Sequence, residues 1–283
     1  MTTVKEATYS SPLLGEPQPR QLIVTVYGLY ARAEHDWLPI AAVVDLMADL
    51  GVVAQAVRSS ISRLKRRGIL IAERVGSAAG YGLSGTARAI LDEGDRRIFE
   101  RRRASAPEGW LLAVFSVPEA EREKRHQLRS RLAWLGFGTV AAGVWIAPEH
   151  LLDETRDALS RQGLSGYVDL FRADHAAFGD QRVKVAQWWD LDRLASLYDE
   201  FLGRYQPVLA RYRRRQKVDE RAAFADYLSA LTDWRRLPYL DPGLAPEQLP
   251  ARWPGVRAAE TFFELQSRLA VPAHRFVDAA RSQ

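Results

Sequence analysis

The 283-residue chain carries 40 lysines and arginines against 35 aspartates and glutamates, a formal charge of +5, and 47% of its residues are hydrophobic. That apolar content supports a globular chain of one large domain or two to three small ones. With no cysteine, structural disulfides, thiol catalysis and cysteine-ligated metal are excluded. No signal-peptide-length apolar run opens the chain and no stretch of about 18 apolar residues could span a bilayer, so a cytoplasmic protein without a membrane partner is expected. The charge is unevenly placed. Residues 1–105 hold 15 basic against 11 acidic residues, a net of +4, and the remainder holds 25 against 24, a net of +1.

Residues 1–19, rich in Ser, Pro, Thr and Glu, read as a mobile tail. Leu22, Val26, Leu29 and Tyr30 then recur at helical spacing over 21–32. Trp37 and Pro39 mark a turn into a second helix carrying Ile40, Val43, Val44 and Met47, closed by Gly51. A third helix follows directly over 53–68, VAQAVRSSISRLKRRG, with five basic residues and no acidic one. Its Val57, Ile61 and Leu64 form one apolar stripe. At about 100° per residue, Gln55, Ser59, Ser62 and Arg66 share the opposite face, flanked by Arg58 and Arg63, with Lys65 and Arg67 completing the basic end. Arginine pairs bidentately with guanine or clamps phosphate, and short serines allow close approach to a groove wall. A basic face can equally be a plain solvated surface, so the helix alone does not assign DNA.

Behind it, Ile69, Leu70, Ile71 and Val75 form a strand, Gly76 to Gly80 a small-residue turn, and Tyr81 and Leu83 a return strand. Helix, turn, basic helix and hairpin are together the outline of a winged helix-turn-helix over 20–84. Arg74, Ser77 and Tyr81 on the hairpin are further candidates for phosphate or groove contact. The loop GSAAGYG lacks the context of a nucleotide-binding loop. Ser84 caps a polar helix that runs to Arg103 as a helical linker over 85–109, and Arg96, Arg97 and Arg101 to Arg103 read as its solvated face.

A second module opens with the apolar strand WLLAVFSV at 110–117. Helix 118–135, a hairpin over 136–147, helix 151–162 and strand 167–172 complete a β-α-β-β-α-β order, the ferredoxin-like arrangement, over 110–180. From 188 to 283 the chain reads as helical, with Pro207 bending or ending one helix. Pro238, Pro242, Pro246, Pro250 and Pro254 interrupt regular structure between two others. The fold class is therefore α+β.

Four stretches resemble the PaaX family of transcriptional repressors, named for control of phenylacetate degradation. They are VRSSISRLKRRGIL with the YGLS strand, WLLAVFSVPE with WLGFGTV, YDEFLGRYQP, and WRRLPYLDPGLAPEQLPARWPG. The resemblance covers nearly everything after the tail. It implies a winged-helix DNA-binding domain, a central domain shaped like small CRISPR-associated nucleases, and a C-terminal helical domain. It also implies a homodimer on a double-stranded operator of dyad character, released by an acyl-CoA effector such as phenylacetyl-CoA, with no cofactor or resident metal and no catalytic residue. The nuclease-like fold normally places an acid at the end of its first strand, where this chain has Ser116, Val117 and Pro118, a departure that argues against metal-dependent cleavage.

A metal-dependent nuclease and an acyl-CoA-processing enzyme are the competing readings. The five histidines, His35, His126, His150, His175 and His274, show no metal-binding spacing, no G-x-S-x-G elbow occurs, and no base for thioester chemistry is visible. An aryl-CoA effector needs an apolar slot and cations for its phosphates. Trp188, Trp189, Tyr198 and Trp234 with Arg235 and Arg236 supply both residue types, although aromatic residues at helical spacing also serve as core.

Overall fold

The computed structural model describes residues 18–32, 36–100, 103–104, 108–176, 178–214 and 217–281. Most of the expected tail, together with His35, Arg101 and Arg102, lies outside these residues. The chain is a mixture of α and β with two antiparallel sheets. It forms two compact units, one drawn from residues up to 95, 197–234 and 256 onward, the other from 96–196 and 235–255.

In the first unit, α1 (Pro19–Val26) continues as a π-helical segment, Tyr27–Ala31, and β1 (Trp37–Pro39) leads into α2 (Ile40–Ala48) and α3 (Ala54–Arg66). The hairpin is β2 (Leu70–Val75) and β3 (Ala78–Leu83), with sheet order β1-β3-β2. Trp37 to Pro39, expected as a turn, therefore form a strand, with Leu38 opposite Tyr81 of β3. Three residues are too short to announce a strand by alternation, and only the pairing with β3 makes it one. The hairpin turn is also tighter than expected. Val75 pairs with Ala78, leaving Gly76 and Ser77 as a two-residue loop with Gly76 at φ +59°.

Helix α4 (Gly85–Asp95) starts with Ser84 Oγ accepting the Ala87 amide at 3.1 Å. Arg32 fixes it by donating to Asp92 at 2.8 Å and Asp95 at 3.0 Å. The unit is completed by the C-terminal part of α8 (Leu191–Arg213), α9 (Glu220–Trp234) and most of α11 (Pro254–Arg281). Helix α8 passes through Pro207 rather than ending there. Its buried face of Tyr198, Phe201, Tyr205, Leu209 and Tyr212 offsets the one backbone hydrogen bond that proline removes. Trp234 is fully buried, stacked on Phe262 with centroids 4.8 Å apart, and Asp233 beside it accepts from Arg204 at 2.6 Å and Tyr205 at 2.7 Å.

The second unit holds β4 (Trp110–Phe115), α5 (Arg122–Trp134), β5 (Gly138–Ala141), β6 (Val144–Pro148), α6 (Leu152–Arg161) and β7 (Val168–Ala173). Its sheet order is β5-β6-β4-β7 with every neighbouring pair antiparallel. One sheet face, with Leu111, Ala113, Trp145 and Ala147, packs on Leu128, Leu132, Ala158 and Leu159 of α5 and α6. At one end of the other face Trp110 meets Trp188 and Trp189 of α7 (Gln181–Trp188) and its cap.

The linker arginines differ most from expectation. Arg97 is only 10% exposed and donates to Glu154 at 2.8 Å, the Leu135 carbonyl at 2.7 Å and the Pro238 carbonyl at 3.2 Å. Arg103 pairs with buried Asp241 at 3.0 Å. Neither faces solvent, because carboxylates distant in sequence neutralise them. The proline-dense segment contains a short helix, α10 (Leu237–Leu240), and residues 241–245 are all buried.

One surface ion pair gives this fold a pH dependence. Arg213, with Arg268, hydrogen-bonds Glu264 and holds its carboxyl down at about 2. A lowered carboxyl stabilises the folded state above the unfolded value of about 4.3 and loses that contribution as pH falls towards about 2. Urea midpoints measured across this window should fall less steeply for Glu264→Gln than for the wild type.

Candidate nucleic-acid interface

Helix α3 is positioned by its own sequence. Val57, Ile61 and Leu64 are almost wholly buried against α1 and α2, where Ile23, Val26, Val43, Leu46 and Met47 are buried too. Gly51, at φ +75°, permits the left-handed turn between α2 and α3. Seating the apolar stripe drives the opposite face into solvent. Gln55, Arg58, Ser62, Arg63, Lys65, Arg66 and Arg67 are exposed and Ser59 is half-buried. The basic residues crowd the last turn, where the helix dipole favours cations.

The electrostatics of this face differ from those of the buried arginines. Arg32, Arg97 and Arg103, each largely buried, have a carboxylate partner at 2.8–3.0 Å. Among the described residues, Arg58, Arg63, Lys65, Arg66 and Arg67 have no ion pair, and α3 itself has no acid. Five unpaired cations on one rigid helix form a positive surface suited to a polyanion.

The hairpin stands beside this face. All of β2 except Leu70 is exposed, so the strand is held by pairing with β3 rather than by burial. At its tip Arg74 Nη2 donates to the Ser77 carbonyl at 3.0 Å, folding the guanidinium over the two-residue loop. Tyr81 is half-buried between Leu38 and Ala72, and its phenol lies close enough to buried Tyr27 to raise the latter's pKa further, after burial. Arg74 and Ser77 are thus presented outward, and Tyr81 faces partly into the domain.

Trp37 and Gly80, both expected in turns, instead support the hairpin from within its sheet. Trp37 lays its indole over Gly80, where a Cβ would come within 2.6 Å of the ring and 2.3 Å of the Leu38 carbonyl. Its Nε1–H reaches towards the Glu73 carbonyl at 3.5 Å. A Gly inside a strand is a signal of close backbone approach, and Gly80 carries it.

The aromatic and basic effector candidates are divided between the two units. Trp188, Trp189, Arg235 and Arg236 belong to one unit, Tyr198 and Trp234 to the other. Tyr198 and Trp234 are fully buried in an aromatic core with Phe201, so they offer no surface to a ligand. Trp189 donates from Nε1 to the buried Gly136 carbonyl at 2.8 Å and packs over Gly138. Trp188, Arg235 and Arg236 keep partial exposure, and burial lowers the Arg235 pKa to about 10. Among the described residues, no three His, Asp or Glu side chains gather as a metal site, and no helix is long and apolar enough to cross a membrane.

Three family models match the chain in succession. Residues 18–87 match "PaaX-like protein", 103–185 match "PaaX protein central Cas2-like domain", and 189–279 match "PaaX-like protein C-terminal domain". The transcriptional repressor PaaX of Escherichia coli strain K12 is 26% identical over 285 residues, covering 98% of this chain and 87% of that protein. An uncharacterized protein of Mycobacterium tuberculosis shares the fold with a TM-score of 0.59 at 22% identity, covering 90% of this chain and 96% of that one.

The close approach at Gly80 is testable. Gly80→Ala forces a methyl against a backbone carbonyl and an indole, and should cost about 1–3 kcal/mol in urea unfolding. Adding Trp37→Ala removes only the indole contact, so the double variant should remain less stable than Trp37→Ala alone.

Proposed function

Because this chain belongs to the PaaX family of transcriptional regulators, we propose that it is a repressor that grips operator DNA with α3 and the β2–β3 hairpin. The observation that carries this reading is the set of five unpaired cations on the exposed face of a helix whose other face is locked into the core. On this reading the first 84 residues contain a winged helix-turn-helix. The β-α-β-β-α-β order and the β5-β6-β4-β7 strand order support a ferredoxin-like central domain, and α8, α9 and α11 support a helical C-terminal one. The family is one of regulators, not enzymes, so nuclease and acyl-CoA-processing activities are set aside.

In α3, Gln55, Arg58, Ser59, Ser62, Arg63 and Arg66 enter the major groove, while Lys65, Arg67, Arg74 and Ser77 hold phosphates. The repressor works in the cytoplasm as a homodimer, placing two copies of α3 in successive major grooves of a dyad operator. An aryl-CoA thioester such as phenylacetyl-CoA releases it, and no other cofactor is needed. Trp188, Arg235 and Arg236 are the effector candidates with surface to offer. A hundredfold release needs roughly 3 kcal/mol of differential ligand affinity between the bound and released conformations.

Two measurements test this. Arg58→Ala with Arg63→Ala should lower specific operator affinity about thirtyfold or more, on about 1–3 kcal/mol per base-reading arginine, without changing Tm; unchanged affinity would remove α3 from the interface. Phenylacetyl-CoA at about a hundred times its Kd should raise apparent stability by about 2.7 kcal/mol and release DNA in the same concentration range. Absence of both effects across a panel of aryl-CoA thioesters would sink the effector assignment.

A further inference from the structure

One basic stretch of the chain has no part in the interface described so far, ARYRRRQKVDER at 210–221, which holds the end of α8 and the start of α9. Both ends of the connection are anchored. Arg213 Nε donates to Glu264 of α11 at 2.8 Å, and Tyr212 donates to Asp226 of α9 at 2.6 Å. On the far side Asp219 accepts the Ala222 amide at 2.7 Å, starting α9. Arg221 then reaches Asp49 Oδ1 at 2.5 Å, and Asp49 is the residue that closes α2 at the turn into α3. The connection therefore ends beside the turn from which the basic helix departs.

Between the anchors, Arg214 and Lys217 are exposed and, among the described residues, have neither an ion pair nor a side-chain hydrogen bond. Lys217 lies four residues before Arg221, so its Cα is within about 14 Å of that anchor even in a fully extended chain. The nearby acids are already engaged. Asp219 caps α9, Glu220 faces Arg275 at 4.0 Å, and Asp49 is covered by Arg221. Asp219 and Glu220 are themselves exposed, but Arg214 and Lys217 are the cations here that no carboxylate answers among the described residues.

We propose that Arg214 and Lys217 form a second, sequence-independent grip on the DNA backbone, holding phosphates that flank the groove entered by α3. The inference rests on the reading of α3 as the DNA-contacting helix. Lysine and arginine placed this way release counterions from phosphate and carry no base information. The C-terminal segment of the chain thereby becomes part of the DNA-binding surface.

Fluorescence anisotropy across a salt series decides it, with a mixed-sequence duplex and a duplex selected in vitro by the wild-type protein as probes. Arg214→Ala with Lys217→Ala should weaken both duplexes alike and make the slope of log K against log salt shallower by about two. The affinity lost between about 50 and about 200 mM salt should then be roughly tenfold smaller than for the wild type. The exchange Arg214→Lys with Lys217→Arg should keep the wild-type slope, and neither variant should change Tm. An unchanged slope and affinity in the alanine variant overturns the inference. Arg58→Ala with Arg63→Ala separates this from the reading beneath it. Loss of discrimination between the duplexes in that variant, beside a wild-type slope in Arg214→Ala with Lys217→Ala, rejects the second grip and keeps α3. Retained discrimination rejects α3, and the second grip then stands or falls on its own slope.

Discussion

Helix α1 and its π-helical continuation are buried over most of their circumference, and the first unit is built around them. Leu22, Ile23, Thr25, Val26, Tyr27, Tyr30 and Ala31 are all nearly inaccessible, a broader buried surface than one apolar stripe, with Gln21, Val24 and Gly28 half-buried on the remaining side. The apolar stripe of α3 lies against α1, and α9 also packs on it, where the Thr232 hydroxyl donates to Thr25 at 2.8 Å in the interior. The orientation of α3 is thus set by a helix shared with the C-terminal segment. The same wall brings the start of α9 to the α2–α3 turn, where Arg221 meets Asp49.

Charge is distributed on the same logic. An arginine taken out of water needs a partner, because desolvation exceeds what an unpaired charge recovers. Arg32, Arg97 and Arg103 each sit partly buried opposite a carboxylate. The cations of α3 lack such partners and stay in solvent, where being unpaired costs little and leaves them available to phosphate. Two populations of arginine therefore coexist, one consumed by the fold and one left over from it.

Local periodicity carried a large part of this into the sequence. The stripe Val57, Ile61 and Leu64, the turn glycine Gly51 and the alternation of helices and strands from 110 to 173 are short-range patterns that survive without a structure. What could not be read depends on distant partners. Arg97 looks like any linker arginine until Glu154, Leu135 and Pro238 are beside it. Trp37 to Pro39 become a strand only because β3 passes alongside, and Tyr198 and Trp234 become core rather than ligand-facing only because Phe201 and Phe262 close over them. The unpaired state of the α3 cations was likewise invisible, since a pairing carboxylate could have come from any element. Nor does sequence order reveal that α9 and most of α11 share a compact unit with the helices before 95, a grouping in which α9 packs on α1.

The chain passes between its two units at four points, after residues 95, 196, 234 and 255. The first lies where α4 runs directly into the π-helical turn Arg96–Glu100, the second inside α8, and the last inside the first turn of α11. None of these three is a Gly- or Ser-rich tether. On the first, anchoring residues stand close on either side of the junction. Asp92 and Asp95 are held by Arg32 within one unit, and Arg97 is held by Glu154 and two carbonyls within the other. Only Arg96 separates Asp95 from Arg97, and it lies where α-helical hydrogen bonding gives way to π-helical. At this crossing the chain is helical, and hydrogen bonds made within each unit anchor it on either side of Arg96.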